Sequence, residues 1–249
     1  MEILWQFSDD DIQRVREFLK ARENTAFVQN RIKRNVHKIL PEFSDDQFWE
    51  AMLACLLTTQ QRSGPKSAVT KFLILKPCPL SYPVCCQSGA VQQLVESTLT
   101  TFGGLRRAKT IGEEAEQNLH WLHGQGWNLI HAMIGRLKDG GGVDAERQAV
   151  DLIIDNMAGF GPKQSRNLLQ SLGLTQYEIP IDSRITKWLV ANGFPVHLSA
   201  TSLADRHYYS FVMEGFQALC SACGVLPCVM DAAIFSSFDD EWTEDRLVW

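Results

Sequence analysis

The sequence lacks the features that mark membrane and secreted proteins. It contains no run of about 18 consecutive apolar residues, and its opening, MEILWQFSDDDIQRV, has no basic stretch followed by an apolar one. It also has no repeat at a fixed period and no low-complexity tract, which argues against solenoid and disordered classes. We therefore expect an intracellular, soluble, globular protein that does not enter a membrane.

Positive charge is scarce as well. The 249 residues carry a net charge of −5, whereas proteins that bind nucleic acids usually carry a basic surface. The segment 21–38 is a local exception, because five basic side chains outnumber one acidic side chain there. This segment is either a patch that faces nucleic acid or an ordinary solvated helix face, and the sequence leaves both interpretations open.

Strand patterns are absent too, since no segment alternates apolar and polar residues between hairpin turns. Helical periodicity dominates instead. Ser8 with Asp11, and Ser44 with Gln47, have the spacing of capping boxes, and an apolar stripe of helical period follows each pair. The sequence predicts an all-α fold.

One predicted helix is interrupted by the motif NMAGFGPKQSRNLL, at 156–169. Gly159 and Gly161 allow a tight turn with positive φ, and Pro162 suits the first position of a new helix. The motif is either a simple corner between two packed helices or a phosphate site. In the second case, unpaired backbone N–H groups at the helix start meet a phosphate that no side chain obstructs.

A second motif, EIPIDSRITKW, places Asp182 where another helix begins. An aspartate there caps the helix, and this structural role does not exclude a second one. Asp182 follows Lys163 by 19 residues.

The two motifs together resemble the helix-hairpin-helix DNA glycosylase superfamily, which includes endonuclease III and the 8-oxoguanine DNA glycosylases. The resemblance runs from about residue 44 to 190. It implies that Lys163 is the nucleophile of a bifunctional enzyme and that Asp182 is the acid of the motif. It also implies that Gln60, in AMLACLLTTQQRSG, fills the gap left in the duplex by an extruded base, unless it is only an exposed glutamine at a helix end.

The same resemblance implies the architecture and the partner. A six-helix barrel at 46–176 would carry the hairpin, and both termini, 1–45 and 177–249, would form a second helical lobe across a cleft. Lys163 and Asp182 would face each other there, while the hairpin residues Gly159, Phe160 and Gly161 bind the DNA backbone. We expect a monomer that acts on duplex DNA with a damaged base.

The chemistry that follows needs no cofactor. An amine that attacks C1′ must be neutral, so the surroundings of Lys163 are expected to lower its pKa. Asp182 would stabilise the oxocarbenium-like sugar. The resulting Schiff base permits β-elimination, so one lysine supports both base excision and strand nicking. Alternatives are a glycosylase for an oxidised pyrimidine or an alkylated purine, and a non-catalytic DNA-binding protein.

The seven cysteines are expected to be reduced thiols, since no secretory leader is recognised. Many endonuclease III relatives bind an iron–sulfur cluster through C-x6-C-x2-C-x5-C. Here Cys220, Cys223 and Cys228 have the spacing C-x2-C-x4-C, so we expect buried helix cysteines rather than a metal site, although a zinc site with His207 is conceivable. This difference favours the cluster-free 8-oxoguanine branch.

The lesion pocket has the weakest signal. Asp231 could accept hydrogen bonds from N1 and N2 of a flipped guanine, with Phe235 one helical turn further as a stacking wall. Asp231 could equally cap a helix. Trp5, Phe7 and Trp249 are further aromatic candidates.

Overall fold

The computed structural model describes residues 4–39, 42–61 and 63–238. Within these ranges the chain forms helices and loops without a β-strand, which confirms the predicted all-α class. The α-helices in chain order are α1 (Asp9–Lys20), α2 (Ala26–Arg31), α3 (Asp45–Leu57), α4 (Ala68–Leu73), α5 (Tyr82–Gln87), α6 (Val91–Phe102), α7 (Ala108–Trp121), α8 (Trp127–Lys138), α9 (Gly142–Asn156), α10 (Pro162–Ser171), α11 (Ser183–Ala191), α12 (Arg206–Cys223) and α13 (Pro227–Phe238). Two π-helical segments, Ile32–Val36 and Leu122–Gly126, continue α2 and α7, and a 3₁₀ turn spans Ser202–Ala204.

The two capping boxes form as predicted. Ser8 accepts a hydrogen bond from the N–H of Asp11, whose carboxylate accepts from the N–H of Ser8, both at 3.2 Å. Ser44 and Gln47 make the same reciprocal pair at the start of α3. Each box satisfies N–H groups that lack a partner within the helix, which fixes where α1 and α3 begin.

The apolar side chains form two main clusters. The larger one draws on α3 to α10 and includes Trp49 and Ile153, and the second draws on α1 and α11 to α13 and includes Phe216. Helix α1 packs against α12, and α2 packs against α13. We keep the lobe boundaries, 46–176 against 1–45 with 177–249, as a proposal.

A buried ion pair links α10 to the segment that leads to α11. Arg166 Nε donates to Glu178 Oε2 at 2.6 Å, and the guanidinium lies 4.3 Å from the centre of the Tyr209 ring. Tyr209 Oη accepts from the N–H of Ile181 at 2.5 Å and donates to the carbonyl of Ile179 at 3.1 Å. The segment that ends just before Asp182 is therefore fixed to the helix that carries Lys163.

Glu146, on α9, holds the same segment from another side. Its carboxylate accepts from the N–H groups of Gln176, Tyr177 and Glu178 at 2.7, 2.8 and 2.8 Å. Burial raises the pKa of Glu146 to about 7, although the three N–H groups act in the opposite direction.

Among the described residues, no single helix has both the length and the apolar composition needed to cross a bilayer. Helices α12 and α13 have this length and composition only when they are taken together, and the two helices are bent by 94° relative to each other.

We predict that Arg166→Met lowers the free energy of unfolding by about 3–5 kcal/mol, because it leaves the Glu178 carboxylate buried without its closest cation. The double variant Arg166→Met/Glu178→Met should recover part of the loss. Urea unfolding measures both. The exposed pair Arg14–Asp11 supplies the control, since Arg14→Met should cost less than about 1 kcal/mol. Equal losses for Arg166→Met and Arg14→Met would contradict the role of the buried pair.

A pH prediction follows from Glu146. Its folded pKa of about 7 lies above its ordinary value of 4.5, so the folded state binds this proton more tightly than the unfolded state does. The stabilisation is complete below 4.5 and is lost as the pH rises through about 7. The unfolding free energy of the wild type minus that of Glu146→Gln should therefore fall between about pH 5 and about pH 8. A difference that is flat or rises over this range would refute the assignment.

Candidate active site

A cleft of about 1940 Å³ brings most of the predicted site residues together. Its walls come from residues of both apolar clusters and from their surroundings. Eight residues were given a specific role in catalysis, DNA binding or the lesion pocket, and seven of them line the cleft: Gln60, Gly159, Gly161, Lys163, Asp182, Asp231 and Phe235. Phe160 is not among the lining residues.

The hairpin between α9 and α10 is held from beneath by Asn118. This buried side chain accepts from the N–H of Ala158 at 2.7 Å and donates to the Ala158 carbonyl at 3.0 Å. Helix α10 then begins at Pro162, with Gly161 at its N-cap and no side chain capping it. Among the described residues, no side chain caps these first N–H groups of α10, which is the condition for binding an anion there.

Three details of the hairpin correct the sequence analysis. Only Gly159 has positive φ, at +83°, whereas Gly161 has φ −98°, which any residue can adopt. A Cβ on Gly159 would lie 2.6 Å from Leu56 Cδ2 and 2.7 Å from Glu114 Cδ, so this glycine permits close packing rather than the approach of a phosphate. The Phe160 ring is buried and its N–H donates to the Met157 carbonyl, so neither group is placed to bind DNA.

Lys163 is the second residue of α10 and is half-buried. Its Nζ lies 3.4 Å from Gln164 Oε1. Gln164 Nε2 in turn donates to the Cys55 carbonyl and to Thr59 Oγ1, which ties the start of α10 to the end of α3. The buried Cys55 thiol lies near the amine; burial raises the pKa of this thiol to about 12, and the charge of Lys163 opposes the shift.

Asp182 caps α11 and faces the cleft at the same time. Its Oδ1 accepts from the N–H groups of Arg184 at 2.8 Å and Ile185 at 3.0 Å, and its Oδ2 pairs with the Arg184 guanidinium at 2.9 Å. The side chain keeps 22% of its surface exposed. The capping role predicted from the sequence is therefore confirmed, and the carboxylate is held in one orientation at the edge of the cleft.

Gln60 lies just beyond the end of α3. It is exposed and has φ +58°, an uncommon conformation for a residue other than glycine. The adjacent Gln61 accepts from the N–H of Arg106 at 2.9 Å, so the loop before α7 supports this turn. Arg106 also lines the cleft.

Asp231 lies in the second turn of α13, so the interpretation as a helix cap is wrong. It is buried and pairs with Arg31 at 2.6 Å. Burial raises the pKa of the Asp231 carboxyl, and the Arg31 guanidinium acts to lower it.

The Phe235 ring is covered on both faces. The Phe27 ring stacks on it at 4.4 Å between centroids, and the Arg184 guanidinium lies 4.1 Å from its centre. Two groups this close to one ring centre occupy opposite faces. Stacking of a base on Phe235 stays a prediction, and it requires the Arg184 guanidinium to leave the ring.

Several residues of the cleft had no assigned role in the sequence pattern. Arg31 and Arg34 belong to the basic segment 21–38, whose basic charge was the only signal for them. Arg34 is half-buried and donates to the Ser171 carbonyl. Arg184 and Gln170 also line the cleft, and nothing in their sequence positions indicated this.

The remaining candidates lie elsewhere. Trp5 stacks on Phe194 and does not line the cleft, and Trp249 lies outside the described residues. Cys220, Cys223 and Cys228 are buried helix residues, as predicted, and burial raises the pKa of the Cys228 thiol to about 12. In the part of the chain that the structure describes, no three His, Cys, Asp or Glu side chains are arranged to hold a metal ion.

Comparison with known proteins bears on this arrangement. No family model matches the chain. The 8-oxoguanine DNA glycosylase/AP lyase of Thermoplasma volcanium is 26% identical over 93 residues, which are 37% of this chain and 43% of that protein. The crystal structure of Methanocaldococcus jannaschii 8-oxoguanine DNA glycosylase matches with a TM-score of 0.65 at 16% identity, over 92% of this chain and 94% of the other.

The chain has the fold of an 8-oxoguanine DNA glycosylase. This likeness, together with the sequence match, confirms the predicted resemblance to the helix-hairpin-helix glycosylases and to their 8-oxoguanine branch. The sequence match spans less than half the length of the curated relative.

The two hairpin glycines give a matched pair of variants. We predict that Gly159→Ala lowers the free energy of unfolding by about 1–3 kcal/mol, because a Cβ adds backbone strain and overlaps Leu56 and Glu114. Gly161→Ala should cost about 0.5 kcal/mol or less, since in the described part of the chain no heavy atom beyond the adjacent residues lies within 4 Å of its Cβ position. Thermal and urea unfolding compare them. If Gly161→Ala costs as much as Gly159→Ala, the two glycines do not have the separate roles described.

Proposed function

We propose that the protein is a base-excision DNA repair glycosylase with AP lyase activity that removes an oxidised purine, with 8-oxoguanine favoured, from duplex DNA. The observation that carries the proposal is that Lys163 and Asp182 line one cleft, beside a helix start with no side-chain cap. The names of the two similar proteins support the same activity. We further propose that it acts as a monomer.

DNA binding would rest on backbone groups rather than on net charge. The uncapped start of α10 offers N–H groups to a phosphate, and the positive end of the helix dipole favours an anion there. Arg34 and Arg106 add local positive charge along the cleft, whereas the charge of Arg31 is balanced by Asp231. With the target nucleotide turned out of the duplex, the exposed Gln60 would occupy the vacated space.

The chemistry would begin when the neutral amine of Lys163 attacks C1′. The N-glycosidic bond breaks, its electron pair leaves with the base, and a bond forms between Nζ and C1′. The proton that Nζ then loses passes to the departing base. Asp182 stabilises the positive charge that develops on the sugar as this bond breaks. Opening of the sugar ring converts the adduct to a Schiff base, loss of the C2′ proton follows, and the 3′ phosphate departs by β-elimination.

Two alternatives remain distinct from this proposal. The same machinery could remove another damaged base, an oxidised pyrimidine or an alkylated purine. A non-catalytic DNA-binding protein could instead use Lys163 to contact a phosphate. The presence of an amine and a carboxylate in one cleft favours catalysis, because the Asp182 carboxylate, besides capping α11, stays partly exposed where a developing positive charge could be stabilised.

Borohydride trapping on duplexes with single defined lesions tests the proposal. The wild type should be trapped on 8-oxoguanine DNA, and Lys163→Gln should not be, because no amine remains to form the Schiff base. Asp182→Asn should lower the excision rate by about 10²–10³-fold, because the positive charge on the sugar loses the carboxylate that stabilises it. Lys109→Gln is the matched control, since this exposed lysine lies outside the cleft lining, and it should trap like the wild type.

The outcomes separate the alternatives. Trapping on another lesion in place of 8-oxoguanine would identify a glycosylase for that base. Salt-dependent binding to undamaged duplex without any trapping would identify a binding protein.

A further inference from the structure

Gln164, the residue after Lys163, has a buried side chain that lines the cleft. Only 7% of its surface is exposed, and it lies in the first turn of α10. Its amide group contacts the Lys163 amine on one side and the end of α3 on the other. The reaction proposed above uses the amine but gives no role to the amide beside it.

The groups at the end of α3 fix which way the Gln164 amide points. Thr59 Oγ1 donates to the Cys55 carbonyl at 3.1 Å, so the hydroxyl hydrogen is used there and the hydroxyl oxygen is free to accept. A carbonyl oxygen can only accept. Both acceptors therefore require the NH₂ end of the amide, and Nε2 donates to the Cys55 carbonyl and to Thr59 Oγ1. Oε1 is the end of the amide that faces Lys163.

The contact with Lys163 is a hydrogen bond to a neutral acceptor. Nζ lies 3.4 Å from Gln164 Oε1. This distance is long, but catalytic hydrogen bonds in an enzyme without substrate are often long and tighten in the complex. An amide oxygen accepts from an amine in either protonation state, whereas a carboxylate in its place would favour the charged ammonium. Gln164 can therefore orient the amine without opposing the neutral form that attacks C1′.

The titratable groups around the amine are engaged elsewhere or uncharged. Burial raises the pKa of the nearby Cys55 thiol to about 12, so this thiol is neutral at physiological pH. Arg166, on the next turn of α10, pairs with Glu178 at 2.6 Å. Asp182, which lines the same cleft, accepts from two backbone N–H groups of α11. In the described part of the chain, Gln164 is the residue whose side chain is hydrogen-bonded to Nζ.

We propose that Gln164 is a positioning residue for the nucleophile: its Oε1 accepts an N–H of the neutral Lys163 amine, which leaves the nitrogen lone pair directed at C1′ of the damaged nucleotide. The anchor on α3 gives this acceptor a fixed place, and a misplacement of about 1 Å in a reacting group can cost about 10²-fold in rate. This inference rests on the proposed function.

Cleavage at a preformed abasic site tests the amine apart from base removal. Single-turnover rates at saturating enzyme are measured between about pH 6 and about pH 10, and affinity is measured separately on a duplex with the uncleavable tetrahydrofuran analogue. In Gln164→Met the plateau rate should fall about 10- to 100-fold, while the affinity stays within about 3-fold of the wild type. In Gln164→Glu the midpoint of the pH profile should rise by about one pH unit or more, because a carboxylate favours the ammonium.

Gln148→Met is the matched control. Gln148 Oε1 also accepts from a basic side chain, that of Arg136, but this glutamine is exposed on α9 and lies outside the cleft lining. Its plateau rate, pH midpoint and affinity should equal those of the wild type. A purely structural role of Gln164 would lower the stability of its variants without moving the pH midpoint.

A wild-type plateau rate in Gln164→Met, or a wild-type midpoint in Gln164→Glu, would overturn the assignment. If neither variant folds, a crystal structure of the wild-type complex trapped with borohydride decides, because the reduced adduct keeps an N–H on Nζ. A distance from Oε1 to Nζ of about 3.5 Å or less supports the assignment, and a longer one overturns it. A wild type that neither cleaves abasic sites nor is trapped shows instead that the proposed function itself is wrong.

Discussion

The buried ion pair between Arg166 and Glu178 is the contact on which the geometry of the site depends. Lys163 lies one helical turn before Arg166, and Asp182 lies four residues after Glu178, so the pair sets the relation between the two groups. The positions of Lys163 and Asp182 do not depend on a direct contact between the two side chains. Both can remain accessible in the cleft because the rigidity comes from beneath, where Tyr209 also holds the intervening backbone. A catalytic site built in this way would keep its reactive groups accessible while it buries the polar groups that orient them.

The second constraint is electrostatic. A chain with a net charge of −5 is not an obvious partner of DNA, but a helix start presents partial positive charge without any basic side chain. The two glycines of the hairpin have different roles at this helix start. Gly159 lets the turn pack against Leu56 and Glu114, and Gly161 leaves the start of α10 uncapped. The arginines of the cleft then add charge where the DNA would lie.

Local signals in the sequence predicted where several helices begin, including those that carry Lys163 and Asp182. The capping boxes at Ser8 and Ser44, the break before Pro162 and the cap at Asp182 are all encoded within a few residues, and the structure contains each of them. The contacts that complete the site are not local. Arg31 and Asp231 pair across 200 residues, and the burial of Gln170 depends on how α10 packs, which no spacing in the sequence reveals. The covered faces of the Phe235 ring could not be foreseen for the same reason.

The central claim is that the amine of Lys163 forms a bond with C1′ of a damaged nucleotide in this cleft. Borohydride reduction of the wild-type complex with an 8-oxoguanine duplex, followed by digestion and peptide mapping by mass spectrometry, locates that bond directly. The account predicts that the sugar remnant is found on the peptide containing Lys163 and on no other. A remnant on a different lysine or on the terminal amine would contradict it.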